Sequence, residues 1–207
     1  SAVEISFDGT STADNPVVVS GLSDGTTSFS VGGSIENPYE NLAKCYIKIV
    51  STTPGASSTN VVFTFFHTER NRDKVTVYDG TNTQSTLATL SGDVLTPYVV
   101  HVSSGKDVLI LFEADGTDHD GPGASTLQLG FNATFVDGNV CYNSCSGRGS
   151  CGADFKCTCN DKSSLADDCS VRATELVPGT TLDISGLAPG DWAYFYFELS
   201  AQSGWLV

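Results

Sequence analysis

The sequence predicts an all-β chain: an antiparallel β-sandwich, then a small disulfide-rich domain, then the incomplete opening of a further β-domain. Three observations carry this. From about residue 31 to residue 136, short runs alternate apolar and polar residues between Gly, Asn and Asp turn signals, and no stretch holds a helical period. Six of the seven cysteines crowd between Cys141 and Cys169. After them the composition shifts to "TTLDISGLAPGDWAYFYFELSAQSGWLV", rich in Gly and aromatics.

The bulk numbers agree. A chain of 207 residues has room for one ordinary domain and one or two small ones. With 40% hydrophobic residues, 10% aromatics and 21 Gly, it favours packed strands and turns over disorder. Ten basic residues against 24 acidic ones give a net charge of -14, a surface that phosphate backbones and anionic lipid repel. A nucleic-acid partner is excluded on that ground and a cation is expected, the alternative being acidity kept for solubility. No apolar run approaches the ~20 residues of a bilayer span. No leader-like segment opens the chain and Met is absent, which fits a mature secreted form or a fragment.

Residues 1–30 contain two strand-like runs, "AVEISFDG" and "NPVVVSG". They read as the first strands of the sandwich, because strands adjacent in sequence usually pair, or else as a strand donated to another molecule. Within 31–136, "VVFTFFH", "KVTVYDG", "DVLILFEAD" and "STLQLGFNATFV" are strands with one buried face. In the last, Leu127, Leu129, Phe131, Ala133 and Phe135 share one face and Gln128, Asn132 and Thr134 the other. Asp79-Gly80 and Ser104-Gly105 are turn signals.

Residues 137–170 carry the spacing C-x(3)-C-x(5)-C-x(5)-C-x-C-x(9)-C. So short a segment cannot fold on apolar burial alone, and each disulfide supplies about 2 to 4 kcal/mol. A zinc site is the rival reading, disfavoured because the segment holds no His and no paired C-x-x-C knuckles. Oxidised bridges place the protein outside the cytosol.

With "CSGRGSC" and "CTC" inside it, this segment resembles a short, tenascin-like EGF domain. The resemblance implies the pairs Cys141 with Cys151, Cys145 with Cys157, and Cys159 with Cys169. Only Asp137, Gly138 and Asn139 precede Cys141 where calcium-binding EGF domains carry a fuller acidic motif, so no metal is assigned there.

The landmarks "GGSIENPYENLAKCYIKI", "KVTVYDG", "LATLSG", "DVLILFEAD" and "LGFNATF", in that order, resemble a CUB domain over 31–136. The resemblance implies a β-sandwich, and CUB followed by EGF is an extracellular order. Departures are visible. The usual first Cys is absent while Cys45 stands where its partner belongs. Ser91 precedes Gly92 in place of a Cys, no Cys lies near Asp73, and Ile47 replaces a Trp. From 171 to 207, strands are expected around Leu182, Trp192 to Leu199 and Trp205, and the "LAPGD" turn before the aromatic strand resembles the start of a prepeptidase C-terminal-type sandwich.

Many CUB domains bind calcium at one end of the sandwich, and the resemblance implies three ligands here. Asp73 lies seven residues before Gly80, Asp115 closes "VLILFEAD", and Glu69 is the nearest upstream acid. The loop "DGTDHDGPG" adds Asp118, Asp120 and the carbonyls of Gly116 and Thr117. Calcium takes six to eight hard oxygens, which carboxylates and loop carbonyls supply, although this loop is no EF-hand. Arg70 and Arg72 are the alternative neutralisers. Tyr39 either orients an acid through its hydroxyl or packs at the rim. By the same resemblance, the calcium end accepts a Lys or Arg of another extracellular protein.

No catalysis is expected. His67, His101 and His119 fall in no triad, H-E-x-x-H or nucleophile-elbow context, and no phosphate-cradling loop is present. The function expected is an extracellular calcium-dependent binding or structural module of an adhesion, matrix or filament protein, with self-assembly through the aromatic tail. The alternative is the non-catalytic targeting region of a secreted protease, or a receptor ectodomain. Asn132-Ala133-Thr134 is a glycosylation sequon. Cys45, odd in number, is either a buried thiol or a bridge to another chain.

Overall fold

The computed structural model describes residues 3–4, 11–20, 27–32, 39–50, 57–103, 107–116, 129–187 and 192–198. Among the described residues, ten strands precede the cysteine-rich segment: β1 (Val3–Glu4), β2 (Val17–Ser20), β3 (Thr27–Gly32), β4 (Lys44–Val50), β5 (Thr59–His67), β6 (Lys74–Asp79), β7 (Thr86–Leu90), β8 (Tyr98–Val102), β9 (Val108–Glu113) and β10 (Gly130–Asp137). They form two five-stranded sheets, ordered β1-β3-β10-β5-β8 and β2-β4-β9-β6-β7.

One continuous core fills the space between the sheets, with Phe29, Phe63, Phe66, Phe112 and Phe131 among its buried members. Phe131 is its hub: the other four rings lie 5.6 to 6.3 Å from it, centroid to centroid. Each such aromatic pair adds about 0.5 to 1.5 kcal/mol beyond the area it buries. Gly130 opens β10 with φ 90°, and a Cβ there would lie 1.8 Å from the Val31 carbonyl oxygen. Only glycine allows β3 to approach β10 so closely.

The expected alternation holds along β10, where Phe131, Ala133 and Phe135 are buried and Asn132 and Thr134 half-buried. Leu127 and Gln128 lie outside the described residues. Two strands depart from it. In β5, Val61, Val62 and Phe63 are all buried, and in β9 the whole run Val108–Phe112 is. Both strands are interior to their sheets. On the outer face of β9, Leu109 and Leu111 pack with Tyr78 and Tyr46 in a second small cluster.

The N-terminal runs also pair differently from the expectation of local pairing. Val3–Glu4 lies parallel to β3 and β2 lies parallel to β4, so each extends a different sheet. Ser11 reinforces the second arrangement: its hydroxyl accepts from the Tyr46 N–H at 2.7 Å and donates to the Tyr46 carbonyl at 3.1 Å. The turn signal Ser104-Gly105 lies outside the described residues.

In the cysteine-rich segment the disulfides are Cys141–Cys151, Cys145–Cys157 and Cys159–Cys169. A 3-10 turn (Tyr142–Gly147) is followed by β11 (Gly149–Cys151), β12 (Cys157–Cys159) and β13 (Ser164–Leu165). Asn143, Ser144, Cys145 and Ser146 are all left-handed, with φ between 48 and 54°. The buried Asp168 carboxylate holds this turn, accepting from Asn143 Nδ2 at 3.0 Å and Ser146 Oγ at 3.1 Å. Burial raises Asp168, but hydrogen bonds from Ser170, whose N–H donates to Oδ1 at 2.9 Å, and from Asn143 and Ser146 outweigh it and keep the carboxyl below its usual range.

β14 (Val171–Glu175) pairs with β13, and β15 (Tyr194–Tyr196) lies parallel to β14. The strand expected around Leu182 does not form. Residues 176 to 187 are exposed, carry no strand, and leave Leu182, Ile184 and Leu187 facing solvent. Pro178 and Gly179, the latter at φ 82°, turn the chain where a strand would have to start. Trp205 lies outside the described residues. Among those described, no helix is long and apolar enough to cross a membrane.

Cys45 sits on β4 facing the core, buried and outside the three disulfides.

Candidate functional site

β9 runs between β4 and β6, and Glu113 at its end is in register with Lys44 and with Lys74, the first residues of those two strands. This common end collects the acids. Asp73 immediately precedes β6, Asp115 follows β9 by two residues, and Glu69 lies in the turn between β5 and β6. One ligand atom from each of Glu69, Asp73 and Asp115 falls within 4.8 Å of the others. Glu69 and Asp73 are buried and Asp115 is half-buried.

The surrounding hydrogen bonds fix this geometry. The Asp73 N–H donates to the Glu69 carbonyl at 3.1 Å, closing the turn, and Asn71 takes a left-handed φ of 63° within it. Ser91, where the family resemblance has a cysteine, ties the same turn by hydrogen bonds. Its hydroxyl donates to the Glu69 carbonyl at 3.1 Å and accepts from the Asn71 N–H at 2.8 Å. The Asp115 N–H donates to Asp73 Oδ1 at 2.8 Å, and the Tyr39 hydroxyl donates to Asp73 Oδ2 at 2.5 Å. The same hydroxyl accepts from the Glu69 N–H at 3.1 Å. Tyr39 is therefore buried against the cluster, its ring edge-on to Phe112 at 4.9 Å.

Electrostatics follow from this packing. Burial pushes Asp73 above the usual carboxylate range, opposed by the hydrogen bonds from Tyr39 and Asp115. Burial and the Asp73 bond both push the Tyr39 hydroxyl upward, so it stays protonated and donating. Three ionised carboxylates at this spacing repel by about 3.5 kcal/mol per pair at an effective dielectric of ~20. Arg72 offsets one of those charges through Asp115 Oδ2 at 3.2 Å, with the guanidinium side chain 60% exposed.

Of the remaining candidate ligands, Gly116 is exposed beside Leu42, while Thr117, Asp118 and Asp120 lie outside the described residues, as does His119. Cys141, Cys145 and Cys157 also lie close enough to hold an ion, but their sulfurs are consumed in disulfides and offer no thiolate. His67 stands 3.6 Å from Asp93.

The residues before Cys141 bind the sandwich. Asp137 accepts from the Thr59 hydroxyl at 2.9 Å and Asn139 from the Ser58 hydroxyl at 2.6 Å. Sequence reading misses three further members of this junction. The buried Asn60 donates to the Val140 carbonyl at 2.8 Å, so its Oδ1 faces His101 Nδ1 at 2.7 Å. Asp167 reaches back to the edge strand β8, accepting from the Val99 N–H at 2.7 Å and donating its own N–H to Pro97 at 3.2 Å. Nothing local in the sequence marks these contacts; only the register of β5 with β8 brings them together.

No family model and no curated protein matches the chain. Solved structures similar to it include the CUB2 domain of MASP-1 bound to Ca2+, at 16% identity and a TM-score of 0.42, over 58% of this chain and 96% of that one. The full extracellular region of zebrafish Gpr126/Adgrg6 matches at 20% identity and a TM-score of 0.43, over 59% of this chain and 14% of that one. The CUB1-EGF-CUB2 domains of rat MASP-1 match at 20% identity and a TM-score of 0.43, over 62% of this chain and 45% of that one.

Proposed function

We propose that the chain is an extracellular, calcium-dependent protein-binding or structural module of an adhesion, matrix or filament protein, with no catalytic role. The observation that carries this reading is the cluster of Glu69, Asp73 and Asp115, whose ligand atoms lie within 4.8 Å of one another at the end of a rigid sandwich. The donor set fits the ion. Carboxylate oxygens are the hard ligands that calcium prefers, and bringing three of them together is costly unless a cation offsets the repulsion. Glu69, Asp73 and Asp115 would hold calcium, with the Gly116 carbonyl beside them. When bound, the ion supplies positive charge that fixes the loops after β5 and β9. Tyr39 holds Asp73 in place from behind. A coordinating carboxylate at the rim then accepts a basic side chain of another extracellular protein.

The three disulfides support an oxidising compartment, and Asn132, on the outer face of its sheet, is the proposed glycan site. Peptide mapping of material from a eukaryotic secretory source reads the latter directly.

The Arg72–Asp115 pair favours a second reading, in which a built-in cation replaces the metal. Calcium titration by calorimetry separates the two. The calcium reading expects one site in the range of about 0.1 to 1 mM, as for extracellular modules, abolished or strongly weakened by Asp115→Ala. Absence of binding heat, or an Asp115→Ala variant that binds as well as the parent, sinks it and leaves the built-in cation.

A further inference from the structure

A cleft of about 740 Å³ opens where the end of β5, the segment 93–96 and the start of β15 come together. That size falls within the ~300 to 1,000 Å³ of small-molecule sites. Its apolar lining is largely aromatic: Phe65 and Tyr194 are half-buried and Trp192 is 68% exposed. Its charged lining is Arg70, whose side chain lies along Gly92, and Asp93, which stands 3.6 Å from His67 Nε2. Arg70 and Asp93 offset each other in a chain whose net charge is -14. An anion would face Asp93, a cation would face Arg70, and a wholly apolar ligand would strip both of water without replacing it. A neutral ring edged with hydroxyls suits them all. Each hydroxyl both donates and accepts, while the C–H faces of the ring lie on the negative faces of the aromatic side chains. That is the chemistry of a sugar.

The register of the sheet supplies the source of that sugar. Asn132 on β10 pairs directly with Phe65 on one side and with Ser30 on the other. Opposed residues of antiparallel strands share a face, with Cβ atoms about 4.5 to 5.5 Å apart. Asn132 stands between buried Phe131 and Ala133, and the bulge opposite sets Thr64 and Phe65 between buried Phe63 and Phe66, so all three point away from the core. Thr64 is exposed, which leaves the outer face open at this level. A substituent on Asn132 Nδ2 therefore starts beside Phe65, itself part of the cleft. Resting on the reading of Asn132 as the glycan site, we propose that the cleft seats this chain's own Asn132 glycan. The first sugar packs on Phe65, and the sugars beyond it run between Trp192 and the charged groups of Arg70 and Asp93. Tethering keeps the glycan at a high effective concentration, so contacts too weak to hold a free saccharide suffice. The seated glycan joins β15 to the outer face of the sandwich.

The test uses the whole chain secreted from cells that make oligomannose glycans, with Trp205→Phe throughout so that Trp192 is the one fluorescent tryptophan. Peptide mass reads the occupancy of Asn132. An endoglycosidase that cuts between the first two sugars should act slowly on the native protein. Trp192→Ala, at an exposed position, should speed that cleavage about two- to tenfold, the range one aromatic contact supplies, and Phe65→Ser should do likewise. Asn132→Gln should raise the quenching of Trp192 emission by acrylamide. Millimolar N,N′-diacetylchitobiose should then protect Trp192 in Asn132→Gln and not in the glycosylated parent. An unoccupied Asn132 removes the glycan reading and this proposal with it. An occupied Asn132 that is cleaved at one rate in the parent, Trp192→Ala and Phe65→Ser overturns this proposal alone. Equal protection by the disaccharide in the parent and in Asn132→Gln also overturns it, and makes the cleft a site for the glycans of other molecules.

Discussion

Replacing Tyr39 by phenylalanine removes one oxygen atom and keeps the ring that packs on Phe112. The hydroxyl serves two buried groups at once, donating to Asp73 at 2.5 Å and accepting from the Glu69 N–H at 3.1 Å. A hydrogen bond to a charged group contributes about 1.5 to 3 kcal/mol, and a buried N–H left without its acceptor costs a further ~1 to 3 kcal/mol. Allowing for overlap between the two, Tyr39→Phe should destabilise the sandwich by about 3 kcal/mol. At roughly 2 to 4 °C per kcal/mol for a chain of this size, the melting temperature in chelator falls by about 6 to 12 °C. Trp192 is largely exposed and does not report on the core, so far-ultraviolet circular dichroism or core methyl NMR is the appropriate probe. Calcium affinity should fall as well, because the bond from Tyr39 opposes the rise that burial imposes on Asp73. A loss below about 1 kcal/mol would refute the reasoning, since neither hydrogen bond could then be present as described.

Further outcomes follow from the same geometry. Asp73 is raised above its ordinary value of 3.8 in the folded chain, so its contribution to stability is fully present below that pH and is lost as pH rises through the folded value. Calcium-free material should therefore gain stability from this group on mild acidification, while calcium binding weakens over the same window; urea titrations at several pH values with and without calcium check both signs. Asp167→Ala removes the carboxylate that receives Val99 N–H, and limited proteolysis should then cut faster near the 137–140 junction, with the disulfides intact by mass. Buried Cys45 should leave the protein monomeric on non-reducing electrophoresis and react with thiol reagents only after unfolding.

The sequence made some of this legible through particular residues. Alternation placed Phe131, Ala133 and Phe135 in the core because a period of two is enforced wherever one face of a strand is buried. It failed at Leu109, whose outer face is covered by Tyr78 and Tyr46, because burial of a second face depends on neighbours that no local window contains. The acids Glu69, Asp73 and Asp115 could be named only through the resemblance to CUB domains, whose pattern places them relative to Gly80 and to the end of a strand. Their convergence required the pairing of β9 with both β4 and β6. In the run after Cys169 the aromatic stretch does form a strand at Tyr194–Tyr196, while the strand expected around Leu182 fails because Pro178 and Gly179 interrupt the chain before it.

The placement of β5 separates the two polar centres of the molecule. Ser58, Thr59 and Asn60, at its start, bind the linker and the disulfide-rich segment, while Glu69 follows its last residue, His67. At about 3.3 Å per residue, the nine residues of β5 put roughly 30 Å between the junction and the acidic cluster. The intervening side chains are close-packed around Phe63 and Phe66, so neither end can move independently into contact with the other. The acidic cluster thus lies at the opposite end of β5 from the residues that hold the disulfide-rich segment. Substitutions more than about 7 to 10 Å apart with no shared partners add in free energy to within about 0.5 kcal/mol. Asp115→Ala and Asp167→Ala, measured singly and together by urea unfolding in chelator, should therefore be additive. A coupling energy above about 1 kcal/mol would refute this and mean that the sandwich transmits the state of one end to the other.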